Sequence, residues 1–250
     1  MKKKATFLST LAGVIMFFCL WQLMALIVSQ PILPSPLEVV PLFFQNLSGD
    51  LGLHFLASSA RVLAAVVLAT LFAAPLGLAL GQMPRLDRVI SPLIAIIYPI
   101  PKIIFLPVIY VLMGISDISK VTLIAIIIFF QILVVVRDEA SSLKKELILS
   151  VKSLGAGRRA LFRYVYLPAS LPAVLTALRV SVGTAVAVLF IAEQSLTSYG
   201  LGYYIVIETY QVLLYPEMYT GIMGMGILGV LLYFAIYSIE LKVGKHLFVE

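Results

Sequence analysis

Three ionisable side chains stand inside or at the end of long apolar runs of this 250-residue chain: Lys102 in YPIPKIIFLP, Arg179 in TALRVSV and Glu193 in IAEQ. An ionised group at the centre of a membrane helix costs roughly 2.5–3.5 kcal/mol on insertion scales, so each needs a partner or water. Two readings meet that need. The three groups can pair with one another or take up backbone carbonyls, which Pro99, Pro101 and Pro107 free by disrupting the helix around Lys102. Alternatively, Lys102 or Arg179 faces an aqueous pathway and helps select an anionic solute, with Glu193 at the outer end of its helix. Other chemistries lack their residues. The one cysteine, Cys19, cannot form a disulfide within the chain, and His54 and His246 lie too far apart in sequence for a histidine-rich metal cluster. No Ser/His, Asp/Asp or metal-spaced group falls inside the apolar runs, which argues against an intramembrane enzyme. No G-x4-G-K-S/T phosphate loop occurs, since GAGRRAL lacks both the lysine and the Ser or Thr.

A second constellation is the stretch VKSLGAGRRALFRYVYLPASLP, from Val151 to Pro172, where Lys152, Arg158, Arg159 and Arg163 crowd around two glycines. Leu143, Leu147, Val151 and Leu154 recur at helical spacing and make one apolar stripe. Gly155 then ends the helix, Gly157 permits a turn, and Leu167-Pro168 opens the next apolar run. Taken by itself, the pattern also suits a membrane-surface helix drawn to anionic lipid.

The elements that must carry these groups are membrane helices. Hydrophobic residues make up 62% of the chain, charged residues 12%, and the mean hydropathy is +1.09. Soluble domains run at about 45–50% apolar and about 25% charged. Six runs are long enough to cross a bilayer: Phe7–Val28, Ser58–Gln82, Val89–Met113, Ile118–Val136, Pro168–Ala192 and Tyr219–Leu241. The first follows MKKK but is too long for a secretory signal and lacks a small-x-small cleavage site, so it reads as a retained helix. Unbroken apolar runs without alternation exclude a β-barrel. Fourteen of the eighteen Lys and Arg residues fall on one side of these spans, which places both termini and the 137–167 loop in the cytoplasm. The same distribution gives the net charge of +6 a membrane explanation rather than a nucleic-acid partner. The expected division is an N-terminal helix over 1–30, an external connector over 31–57, a helical core over 58–244 and a tail over 245–250. Small residues recur every fourth position at Ala65, Ala69, Ala73, Gly77 and Gly81, and again from Ala169 to Ala185, which suits either close helix packing in lipid or surfaces that slide when a pathway opens.

Gly155, nine residues, Val165, one residue, then Leu167-Pro168 resembles the cytoplasmic E-A-A-x3-G-x9-I-x-L-P signature of permease subunits of binding-protein-dependent ABC importers. The likeness extends to ILPSPLEVV, HFLASSARVLAA, APLGLALGQMPRLDRVISPL, PIPKIIFLPVIYVLMGISDISKV, AEQ and YGLGYYI, in the order of the nitrate/sulfonate/taurine-type permeases, over most of Ile32 to Gly244. Leu149, Ser150 and Val151 stand where that family has Glu-Ala-Ala.

The resemblance implies an all-α type I importer fold and a prokaryotic cell-membrane location. It also implies two permease copies over two cytoplasmic ATPase subunits, with an external binding protein delivering the solute. ATP and magnesium would bind the ATPase partner, leaving no cofactor in this chain. Leu147, Val151, Leu154, Gly155 and Ala156, beside the variant Leu149 and Ser150, would dock on the ATPase. Arg158 and Arg159 would meet its acidic rim or lipid head groups. A transporter working alone on an ion gradient is the rival reading, although the spans lack the Asp, Glu or His chains that proton coupling uses.

Overall fold

Apolar runs in a bilayer must satisfy their own backbone groups, and helices do so. The computed structural model describes residues 2–143, 145–194 and 196–244, and among them every regular element is helical. Five helices are long and apolar enough to cross a membrane: α1 (Lys2–Val28), α3 (Asp50–Gln82), α6 (Asp117–Ser142), α9 (Leu167–Glu193) and α11 (Tyr215–Gly244). Between them lie α2 (Pro36–Leu47), α4 (Pro84–Ile97), α5 (Leu106–Met113), α7 (Lys145–Ser153), α8 (Arg158–Leu161) and α10 (Leu201–Tyr203).

The expected third span, Val89–Met113, is broken. A single 3₁₀ turn, Lys102–Phe105, separates α4 from α5, and the two are bent by 81°. Pro99 and Pro101 remove two amide donors, so the ladder cannot continue through them. Counted as one bent crossing, this pair brings the spans to six. Helix α3 begins at Asp50, ahead of the expected Ser58, and the connector over 31–57 contains α2, which starts on Pro36. The connector is therefore helical as well as proline-rich.

The chain divides into two compact units, one up to Ser58 plus Glu193–Gly226, the other Ser59–Ala192 plus the chain from Ile227. In the second unit the small-residue stripe of α3 is a packing seam. Ala65, Ala69 and Ala73 are buried, and Gly77 and Gly81 lie against Leu133, Val136 and Ala140 of α6. The Gln82 amide donates to the Ala140 carbonyl across the same seam, and Arg137 on α6 pairs with Asp87 on α4, its Nη2 2.8 Å from Oδ2. At the opposite end of α6, Ser116 and Ser119 form a reciprocal capping box.

Candidate functional site

The loop between α6 and α9 is built by two helix stops. Leu143 leaves the helical region with ψ 132°, so α6 ends at Ser142 and α7 starts at Lys145. The stripe Leu143, Leu147, Val151, Leu154 is therefore longer than the helix meant to carry it. Leu143 lies in the corner before α7 and Leu154 lies beyond its last residue, Ser153. Gly155 has φ +80°, a left-handed conformation that costs an L-residue roughly 1–2 kcal/mol, and its amide donates to the Lys152 carbonyl at 2.9 Å. Gly157 then accepts from the Leu161 amide at 3.0 Å, and the helix resumes at Arg158. The basic return around Arg159 and Arg163 is helical: α8, a π-helical turn over Phe162–Tyr166 and α9 form one rod, apolar from Arg159 to Glu193.

At the tip of this loop Leu154 is 83% exposed and Leu149 62%, while Ser150, Gly155 and Arg159 are exposed and Val151 and Ala156 half-buried. The side chains of Leu147 and Arg158 lie outside the described residues. Two bare leucines beside basic residues, between spans rather than within one, form a small apolar patch of the kind that meets a protein partner or a membrane surface.

The structure gives each charged group within the spans its own surroundings. Lys102 Nζ donates to the carbonyls of Ile97, Tyr98 and Ile100 at 3.2, 2.9 and 3.3 Å, and lies 4.7 Å from the Phe130 ring centre. The Ile97 carbonyl also accepts from the Ile100 amide at 3.2 Å, and the ammonium gathers the three carbonyls at the proline break, capping the end of α4. Arg179 Nε lies 3.0 Å from Glu240 Oε2 in an ion pair, and its Nη1 donates to the Tyr233 hydroxyl at 3.1 Å. The Tyr233 and Tyr237 rings flank the guanidinium, and Thr176 donates to the other Glu240 oxygen at 2.8 Å. Glu193 is fully buried, accepting from the Ser58 hydroxyl at 2.7 Å and the Gly202 amide at 3.0 Å.

Glu193 belongs to a cluster that sequence reasoning passed over. Ser58 also accepts from the Leu201 amide at 2.8 Å, and His54 Nδ1 accepts from the Gly200 amide at 3.0 Å. His54 Nε2 reaches Glu208 at 3.1 Å, and the ring lies among Tyr199, Tyr203 and Tyr204. Tyr204 starts a π-helical segment running to Tyr210, and burial pushes its phenol above the ordinary tyrosine range. The signal was available: His54 and Ser58 are four residues apart and share one face of α3.

Five helices long and apolar enough to cross a membrane, or six crossings with the bent pair, define a multi-pass membrane protein. Residues 65–243 match the family described as the binding-protein-dependent transport system inner membrane component, and the chain belongs to that family. It is 31% identical over 184 residues to the taurine transport system permease protein TauC of Escherichia coli (strain K12), covering 71% of this chain and 66% of that protein, just under two thirds. A putative ABC transporter permease protein of Methanocaldococcus jannaschii is 32% identical over 193 residues, 74% of this chain and 72% of that one. Among solved structures, an inward-facing MetNI methionine ABC transporter superposes with a TM-score of 0.64 at 24% identity, covering 75% of this chain and 93% of that one. The fold is that of a type I ABC importer permease.

Proposed function

We propose that this permease works as two copies over two cytoplasmic ATPase subunits and imports a small anionic solute handed over by an external binding protein. Both termini and the 137–167 loop face the cytoplasm of a prokaryotic cell, with ATP and magnesium held by the ATPase. The observation that carries the reading is the bare tip of that loop: Leu154 at 83% exposure and Leu149 at 62%, beside basic side chains and outside every span. Leucines so exposed would cost roughly 1.5–3 kcal/mol each if left in water rather than buried. An apolar groove on an ATPase would cover them, and Leu149 replaces a polar contact with a larger apolar one.

Closure of the ATPase pair would push on residues 149–159 and tilt the rod that begins at Arg159. The anionic solute is supported by charge. The contacts of Lys102 are carbonyl dipoles and aromatic rings, which hold the ammonium without cancelling it, whereas Glu240 neutralises Arg179.

Purifying the tagged chain from its native membrane should bring down an ATPase subunit, and Leu154→Asp should remove most of it while leaving the permease folded. Uptake into vesicles that follows an ion gradient and ignores ATP would overturn the reading.

A further inference from the structure

The helical segment that starts at Leu201 and widens into the π-helical turns over Tyr204–Tyr210 has no side-chain cap of its own. The first amides of a helix find no partner inside it. Here three consecutive ones are taken up by other elements of the first compact unit: Gly200 by His54 Nδ1 at 3.0 Å, Leu201 by Ser58 Oγ at 2.8 Å and Gly202 by Glu193 at 3.0 Å. His54 is 3% exposed, and Ser58 and Glu193 are fully buried. On either side of the segment stands a leucine in the left-handed conformation, Leu196 at φ +51° and Leu213 at φ +63°. An L side chain adopts that conformation only under constraint. The segment is thus sprung at both ends and held at its start by three acceptors.

His54 differs from the other two acceptors because a proton can switch it off. A backbone amide only donates, so Nδ1 is bare while it accepts from Gly200, and the proton of the neutral ring sits on Nε2, 3.1 Å from Glu208 Oε2. A second proton can go only to Nδ1, where its N–H meets the Gly200 N–H head on. The ring lies among Tyr199, Tyr203 and Tyr204. Beyond them stand Glu193, one hydroxyl away through Ser58, Glu217 of α11, whose charge is felt at Tyr204, and Asp50, one turn earlier on α3. The uncharged Asn46 of α2 donates to the Tyr204 hydroxyl at 3.5 Å, and Arg61, two turns after His54, is paired with Asp117 at 2.7 Å. An imidazolium formed here has a carboxylate to face and no means of keeping Gly200.

We infer that His54 is a proton-released latch: neutral, it holds the start of the 199–210 segment closed, and protonated, it lets go of Gly200 so that the sprung segment opens. Histidine is the side chain that commonly changes charge between about pH 5 and pH 8. The segment stands on the outer side in the orientation proposed above, so external acidity operates the latch.

Two measurements test this. Nitrogen NMR of the purified full chain, labelled at histidine and carrying His246→Gln so that His54 alone reports, should show a bare Nδ1 and a protonated Nε2 at about pH 7.5, and both protonated at about pH 5.5. Hydrogen exchange read by mass spectrometry, corrected for the intrinsic effect of pH, should show the 199–204 amides losing about tenfold of their protection over that interval, as one lost acceptor implies. His54→Gln keeps an acceptor that no proton removes in this range, so its protection should stay constant. A proton on Nδ1 at the higher pH, an uncharged ring at the lower one, undiminished protection in the parent, or an equal loss in His54→Gln would overturn the latch. The NMR result does not depend on that variant folding. Both readouts use the permease alone, without transport, so the latch stands or falls separately from the import reading.

Discussion

Replacing Gly81 by alanine tests how closely α3 and α6 approach. The added Cβ would sit 2.6 Å from both the Ala140 Cβ and the Arg137 carbonyl oxygen, and 2.9 Å from the Ser141 amide nitrogen. Two of those three atoms are backbone, so no rotamer change relieves the clash. Non-bonded carbon atoms rest at about 3.5 Å; the gap between 3.5 and 2.6 Å means the helices must part by about 0.9 Å at this point. Overpacking of this kind costs about 1–3 kcal/mol. The strain falls next to the Gln82–Ala140 hydrogen bond and the Arg137–Asp87 pair, which have little room to absorb it. In a chain of this size 1 kcal/mol shifts Tm by roughly 2–4 °C, so a cost near 2 kcal/mol lowers it by about 4–8 °C. The assay is thermal unfolding of the purified permease in detergent. Gly183→Ala on α9 is the control, since its Cβ would meet nothing within 4 Å and alanine is the better helix former. A Gly81→Ala protein that melts within about 1 °C of its parent would refute the close seam.

Other perturbations follow from the charged groups. Glu193→Ala leaves the Ser58 hydroxyl and the Gly202 amide facing a methyl in a buried site, at about 1–3 kcal/mol for each donor left without an acceptor. Glu193→Gln keeps an acceptor, so its melting temperature should fall by less than half as much; equal losses would remove the hydrogen-bonding explanation. Lys102→Met keeps the aliphatic stem but withdraws the donor shared by three carbonyls. Uptake of the proposed anionic solute should drop at least about tenfold, as one lost charge-assisted contact implies, while Lys102→Arg retains most of it. Unchanged uptake in Lys102→Met would take this residue out of the pathway.

The spans were legible because hydropathy over twenty residues is a strong, local signal, and the basic loop was legible because glycine spacing marks its turns. What hydropathy conceals is the polar interior. Arg61 pairs with Asp117, and Arg137 with Asp87, between residues dozens of positions apart, so no window shows them together. Lys102 is a middle case: three prolines announced a break and free carbonyls, yet not the 81° bend between the two halves. The Ser58–Glu193 contact joins residues 135 apart, and only folding makes neighbours of them. Leu143 and Leu154 show the reverse error, in which periodicity continued through positions where the backbone had already left the helix.

The π-helical turn at Phe162–Tyr166 has a mechanical meaning of its own. It widens the rod without cutting it, so the stretch from Arg159 to Glu193 remains a single beam of 35 residues, about 52 Å long. A tilt of about 5° imposed near Arg159 would carry the far end through about 5 Å, several times the displacement at the point of contact. The wide turn also sets the beam's azimuth. Wound as a regular α-helix instead, the same residues would carry every later side chain up to about 100° around the axis, turning Ala177, Ser181 and Ala185 out of the interior. A single wide turn at the loop end of the rod thus fixes which face the beam presents farther along.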